Sequence, residues 1–596
     1  MATQRPCEPP SSTEDDSWDE LEEGVPQKSD QFIQKYFQGR DALIGQEKRQ
    51  RTDHAFRQTL SPAAAEASAI VARIREEERQ THWTSDYKEN LAHGEAGHVY
   101  PGMMFCLAKE RIEATRLWKI VQRMPKGALL HAHLDAMIDV TWLLEQALHT
   151  EGMHLYAGEP LCTPTALRSA SMLFVYAPSA PASPSSLWGA DYVPATRVAL
   201  THAADTFPDG GREGFVAWVK GRCTITSTES VAHHHGLNDI WRKFRETFII
   251  LGSIIFYEPI FRACVHRICR QALEDGVRWI DLRAAFAFQY RKQGCEQPEA
   301  GYEEVVRVLG DEVERFKTSE EGQAFWGARM IWTAVRQLDT RQIVESMKQC
   351  IAVKKRYPHL IAGFDLVGQE DLGRSLKDLT RELFWFRKRC VEEGLEIPFF
   401  FHAGETLGDG DETDENLFDA LLLGTRRIGH GFSLYKHPLL IDMVKEKRIL
   451  VESCPISNEV LRLTSSIRAH PAPALLARGV HVALCNDDPA ILGHDTNGMS
   501  HDFWQALQGW ENLGLIGLGA LAENSVRWAA FEDQSAKDWV RDIKDASLGR
   551  GVRAKRMREW ALEWQRYCQW IVDEYGEGAR TEGGSEGEEV DVDLIP

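Results

Sequence analysis

Eight short apolar runs, most of them separated by helix-like segments, constrain this chain more than any other feature. They lie at 128–131, 277–282, 330–333, 360–366, 398–401, 427–429, 449–452 and 481–484, with helical periodicity at 261–274, 340–354, 375–393, 417–423 and 438–447. Each run has strand length, and each intervening segment can cover one face of a sheet. Eight such alternations predict an α/β fold, a (β/α)8 TIM barrel. The rhythm breaks once, at about 150–235, where Pro178, Pro181 and Pro184 stand among many Ser and Ala residues. This reads as an insertion after the first barrel strand, on the face where barrel loops shape a site.

The 596 residues exceed what a plain barrel needs. Residues 31–123 read as a helical region ahead of the barrel, with Ala- and Glu-rich 61–80 and, in 103–121, Leu107, Ile112, Leu117 and Ile120 at helical spacing. Residues 1–30 and 576–596 are acidic and poor in apolar residues, so both are expected to be solvated tails. The barrel itself is expected over 124–575.

A net charge of −20 argues against a nucleic-acid partner, which would require clustered cations. No apolar run reaches membrane-spanning length, since 248–256 is short and contains Gly252 and Ser253. The first residues lack a basic stretch followed by an apolar one, and the twelve cysteines form no CxxC pair. A cytoplasmic protein with reduced thiols, acting on a small molecule, is the expectation, with no nucleic-acid or membrane partner.

Four motifs carry chemistry. In MPKGALLHAHLDA, His131 and His133 end the first run two residues apart, so a strand points both to one side. An HxH pair alone is also a common surface pair. In PFFFHAGET, His402 ends the fifth run, with Glu405 on the turn beyond it, suited to a further ligand and a proton donor. In RRIGHGF, His430 stands between Gly429 and Gly431, which permit close backbone approach. In VALCNDDPA, Asp487 and Asp488 follow the last run and point differently, or else they cap a helix starting at Pro489. All four fall at the C-terminal ends of strands, where barrel chemistry is located.

These motifs, with IWRKF, AGFDLVGQED and ESCPISNEVL, resemble the adenosine deaminase family of the amidohydrolase superfamily, and within it the adenosine deaminase-related growth factor branch. The resemblance runs from about Pro125 to Trp528. It implies one Zn2+ per subunit, held by His131, His133, His402 and Asp487. It implies Glu405 as proton donor to the purine ring and His430 as the residue that orients the attacking water. Asp488 would face N7, Gly368 would offer its backbone N–H to N3, and Asp135 would lie near the ribose 5′-hydroxyl. Trp241 matches a pocket aromatic, although a core role suits it equally. The implied activity is hydrolytic deamination of adenosine and 2′-deoxyadenosine, and the branch suggests a homodimer formed through the N-terminal helices.

Two other functions remain open at this point. A different amino-purine deaminase would keep the same metal residues, and a growth-factor-like binding protein would be expected to have lost them. Val335 stands where the branch usually carries a histidine before the arginine, which removes a polar contact to the sugar. Trp218 is a weaker pocket candidate. Glu370 and Asp371 read as structural acids, and His233–His235 as an exposed loop.

Overall fold

The computed structural model describes residues 24–83, 100–178 and 186–576. Most of both terminal tails, and Pro181 and Pro184 of the insertion, lie outside the described residues.

Among the described residues, eleven strands form three sheets. Strand β1 (Gly127–His133) pairs in parallel with β5 (Val277–Ala285), which pairs with β6 (Gly327–Val335), which pairs with β7 (Ile361–Val367). A second parallel sheet runs β8 (His402–Ala403), β9 (Arg427–His430), β10 (Leu450–Ser453), β11 (Val482–Leu484). Two parallel bridges join them, Phe364 with Phe399 and Ala132 with Asp487. The eight strands therefore close into a barrel, and seven of the eight apolar runs of the sequence each contribute one of them. Only the fifth differs much from expectation. The run 398–401 is extended but mostly unpaired, and the ladder forms just beyond it at His402 and Ala403.

The second closing bridge bears on the site. His133 N–H donates to Asp487 O at 3.1 Å, and Asp487 N–H donates to His131 O at 3.2 Å. The first and last barrel strands are thus locked together at the residues that sequence singles out. β1 is buried along its whole length, as expected for a strand covered on both faces.

The insertion builds its own antiparallel sheet, with β2 (Met153–Ala157) between β3 (Met172–Tyr176) and β4 (Val198–Ala199). An aromatic cluster of Trp188, Phe207, Phe215 and Trp218 fills the space beside it. Trp218 belongs to this cluster, with its indole N–H donating to Leu167 O at 2.9 Å.

The described residues of the N-terminal region are mostly helical, with one departure from the sequence pattern. The stretch 103–121 forms two helices, Phe105–Glu113 and Arg116–Arg123. Thr115 starts the second by accepting the Trp118 N–H on its hydroxyl, and Leu107 faces outward, 52% exposed. Helix Pro62–Thr81 packs beside the last helix, Val552–Tyr575, where Arg73 donates to Tyr575 O, and Phe56 of the preceding helix His54–Gln58 meets Trp564 at 5.8 Å. The first helix, Gln31–Gln50, buries none of its residues.

Candidate active site

The ends of β1, β8 and β9 and the turn after β11 bring His131, His133, His402, His430 and Asp487 together. Single ligand atoms of His131, His133, His402 and Asp487 lie within 4.8 Å of one another. Asp487 Oδ1 is 3.2 Å from His131 Nε2 and 3.3 Å from His133 Nε2. His131 Nε2 and Asp487 Oδ1 are buried without a hydrogen-bond partner. Buried polar atoms left unpaired and aimed at one point fit a metal ion, and three imidazoles with one carboxylate are a donor set suited to zinc. Cys454 also comes close, with His131, His430 and Asp487. Burial pushes its thiol well above the usual range.

The histidine tautomers are fixed from behind. His131 Nδ1–H donates to Glu452 Oε2 at 2.9 Å, and His402 Nδ1–H donates to Asp365 Oδ2 at 2.7 Å. Each ring is left with its Nε2 lone pair facing the cluster. Arg283 bridges the two carboxylates, at 2.9 Å from Asp365 and 2.7 Å from Glu452, and Arg427 joins Glu452 to Asp281. Burial alone would raise both acids. His402 and Arg283 nevertheless hold Asp365 below the usual carboxylate range, and Arg283 and Arg427 do the same for Glu452. Burial drives His402 down to about 3 and also lowers His133, so both stay neutral at pH 7.

Sequence reasoning named none of Asp365, Glu452, Arg283 and Arg427 as site residues. The two acids lie in the runs 360–366 and 449–452, read there only as barrel strands and as carriers of the resemblance. An acid inside an otherwise apolar strand was the signal available.

The glycine expectation is met at Gly429. A Cβ there would lie 3.0 Å from His131 Cε1 and 3.2 Å from the His402 Cα. His430 and Asp487 both have left-handed backbone, with φ of 60° and 55°. Strained backbone of this kind collects at functional sites.

Glu405 is 3% exposed, and its Oε1 has no hydrogen-bond partner. Burial, then the charges of Asp487 and Glu370, raise it well above the usual carboxylate range. Glu370 fixes the turn beneath by accepting the N–H groups of Gly404 and Glu405. Thr406 donates to Asp371 at 2.6 Å, so both acids support the loop. His430 Nδ1 lies 3.6 Å from Glu405 Oε1, and its Nε2 lies 3.8 Å from Asp487 Oδ2. Burial keeps His430 well below its ordinary value and so neutral. Asp488 is raised by burial and by the charge of Asp487, and Asp135 is pushed up to about 6 by burial.

These groups open into a cavity of about 500 Å³. His133, Asp135, Trp241, Gly368, His402, Glu405, His430, Asp487 and Asp488 all line it, as does Val335. His131 lies beneath them, with no exposed surface. The triplet His233–His235 is a short exposed turn, and it belongs to no candidate metal cluster among the described residues.

The model of one protein family, described as adenosine deaminase, matches residues 224–546. The chain is 32% identical to adenosine deaminase 2-A of Danio rerio, over 75% of this chain and 83% of that one. It is 33% identical to adenosine deaminase 2 of Homo sapiens, over 75% and 84%. Among solved structures it is similar to an adenine deaminase from Arthrobacter aurescens, at 18% identity and a TM-score of 0.47, covering 74% of this chain and 99% of that one. By the family match, and by its likeness to the two adenosine deaminase 2 proteins over most of its length, the chain belongs to the adenosine deaminase family of the amidohydrolase superfamily.

Proposed function

We propose that the protein hydrolytically deaminates adenosine and 2′-deoxyadenosine, with one zinc ion held by His131, His133, His402 and Asp487. The observation that carries this reading is a buried carboxyl with an unpaired oxygen, Glu405, beside four convergent metal-type donors at one cavity. The family membership supports the same activity. A zinc ion bound there supplies a water of near-neutral pKa.

The remaining steps belong to the side chains. His430, neutral and within reach of Asp487 and Glu405, orients the water and takes its proton. Glu405 donates its proton to ring N1, which makes C6 electrophilic. The water oxygen bonds to C6, the proton taken by His430 passes to the 6-amino group, the C6–N bond breaks to release ammonia, and the remaining hydroxyl proton returns to Glu405 as the C6 carbonyl forms. Purine N7 only accepts hydrogen bonds, so an Asp488 held in its acid form is the donor it needs. The Gly368 N–H faces N3, Trp241 walls the base, and Asp135 meets the sugar. A carboxylate at Asp135 repels a 5′-phosphate, which favours nucleosides over nucleotides.

Zinc analysis and ammonia release from adenosine, with and without a chelator, test this reading. One zinc per chain is expected, with turnover abolished by chelation and restored by added zinc. Zinc-loaded protein that releases no ammonia from adenosine overturns it. Val335 keeps one second reading in play, a preference for another amino-purine, which a substrate panel ranked by kcat/KM resolves.

Two further expectations belong to the same proposal. Helix Gln31–Gln50 exposes Phe32, Tyr36 and Leu43, which suits a homodimer contact, checked by sedimentation. The eleven described cysteines are all unpaired, including Cys162 and Cys223, in keeping with a reducing, cytoplasmic setting. No helix among the described residues is long and apolar enough to cross a membrane.

A further inference from the structure

The candidate groups stand around the cavity in the order of the barrel strands. Sheet pairing and the two closing bridges give the circular order β1, β5, β6, β7, β8, β9, β10, β11 and back to β1. Asp135 stands just after β1, Gly368 just after β7, Glu405 just beyond β8, and Asp488 in the turn after β11. All four line one cavity. In the reading above they meet the 5′-hydroxyl, N3, N1 and N7 of the nucleoside.

The rim of an adenine nucleoside has an order of its own. With the base turned away from the sugar, the anti form, the 5′-hydroxyl lies on the C8 side and the 2′-hydroxyl on the N3 side. Its groups then run N1, N7, 5′-hydroxyl, 2′-hydroxyl, N3 and back to N1. Round the barrel the residues that meet them run Glu405, Asp488, Asp135 and Gly368. The two orders agree, and they put the 2′-hydroxyl on the arc between β1 and β7, on the Gly368 side of it.

The end of β6 stands on that arc, beside β7. Val335, the last residue of β6, and Gln337 both line the cavity, as residues two apart on extended backbone do. Arg336 between them turns away, donating to Leu366 O and His402 O at 3.2 Å each. Val335 offers the sugar only carbon. Gln337 brings a carboxamide against the N3 contact, since a Cβ at Gly368 would lie 2.5 Å from Gln337 Oε1. Its Nε2–H donates to Gln369 O at 3.3 Å, and a carbonyl partner requires the NH2 end of the amide there. Oε1 is left facing Gly368 with no donor among the described residues. We infer that Gln337 accepts a hydrogen bond from the ribose 2′-hydroxyl and gives the enzyme a preference for ribonucleosides over 2′-deoxyribonucleosides. This rests on the deaminase reading above, and the reaction at C6 is the same for both sugars.

The test compares kcat/KM of the zinc-loaded full chain for adenosine, 2′-deoxyadenosine and 3′-deoxyadenosine. Adenosine is expected to exceed 2′-deoxyadenosine by about three- to tenfold, the worth of one neutral hydrogen bond. Gln337→Leu, similar in size and without the acceptor, should bring that ratio to about one. The same variant should cost 3′-deoxyadenosine, which keeps its 2′-hydroxyl, as much as it costs adenosine. Inhibition of the unaltered protein by inosine should exceed that by 2′-deoxyinosine by a similar factor, without any variant. Equal turnover of adenosine and 2′-deoxyadenosine by the unaltered chain overturns the inference and leaves the deaminase reading standing. So does a Gln337→Leu loss shared equally by adenosine and 2′-deoxyadenosine, which would mean that the amide only supports the Gly368 turn. Failure to deaminate any of the three nucleosides overturns both.

Discussion

At the residue scale, proton supply and metal holding separate cleanly, and each has a variant that isolates it. Glu405 does not belong to the four-donor cluster, so Glu405→Gln should keep its zinc. An amide cannot serve as the acid, so kcat for adenosine should fall by about a thousandfold, read from ammonia release beside zinc content. Asp365 acts the other way, by fixing the His402 ring from behind. Asp365→Asn should weaken zinc affinity by about 10- to 100-fold in a chelator competition, with activity restored by excess zinc. The two sets of residues were not equally legible in sequence. His131, His133, His402 and Asp487 each stand at or just beyond the end of an apolar run, so local pattern places them. Asp365 and Glu452 lie inside strands, and their roles exist only because Arg283, from a distant strand, bridges them. No local spacing carries that information.

At the element scale, the eight barrel strands were readable because a strand buried on both faces is a continuous apolar run. The insertion sheet was not. Its strands are short, and part of what covers it is helix Leu237–Ile255, which meets it through Phe174 and Ser253, 79 residues apart in sequence. Thr115 likewise divides one periodic stretch into two helices through a single cap. The close approach of β9 to β1 gives a prediction at this scale. Gly429 leaves no room for a Cβ, since the nearest atom belongs to the His131 ring, which is itself tied to Glu452. Gly429→Ala should tilt that ring and cost about 1–3 kcal/mol. The expected result is a folded protein, by circular dichroism, whose zinc affinity is lowered by about tenfold or more. A variant with unchanged zinc affinity would mean that β9 can shift without disturbing the ligand.

At the scale of the whole molecule, one buried acid ties the N-terminal helical region to the barrel. Glu459 accepts the Phe105 N–H at 2.7 Å and the Ile467 N–H at 3.2 Å, and it has no exposed surface. Burial outweighs those two hydrogen bonds and pushes its carboxyl up to about 8, from 4.5 in an unfolded chain. A raised folded-state value means that the native protein holds this proton more tightly than the unfolded chain does. Its stabilising contribution is therefore complete below pH 4.5 and is lost as pH rises through about 8. Over that window the group alone gives a slope of up to about 1.4 kcal/mol per pH unit. Asp365, Glu452 and Asp487 are shifted downward and act in the opposite sense, weakening the fold only in acid. Denaturant midpoints of the zinc-loaded protein at pH 6 and pH 9 separate the two effects. The unaltered chain should lose more stability between them than Glu459→Gln, which cannot ionise and keeps one carbonyl oxygen for the backbone donors. Parallel losses in the two proteins would show that Glu459 is already ionised at pH 6 and that the junction between the helical region and the barrel holds a charge.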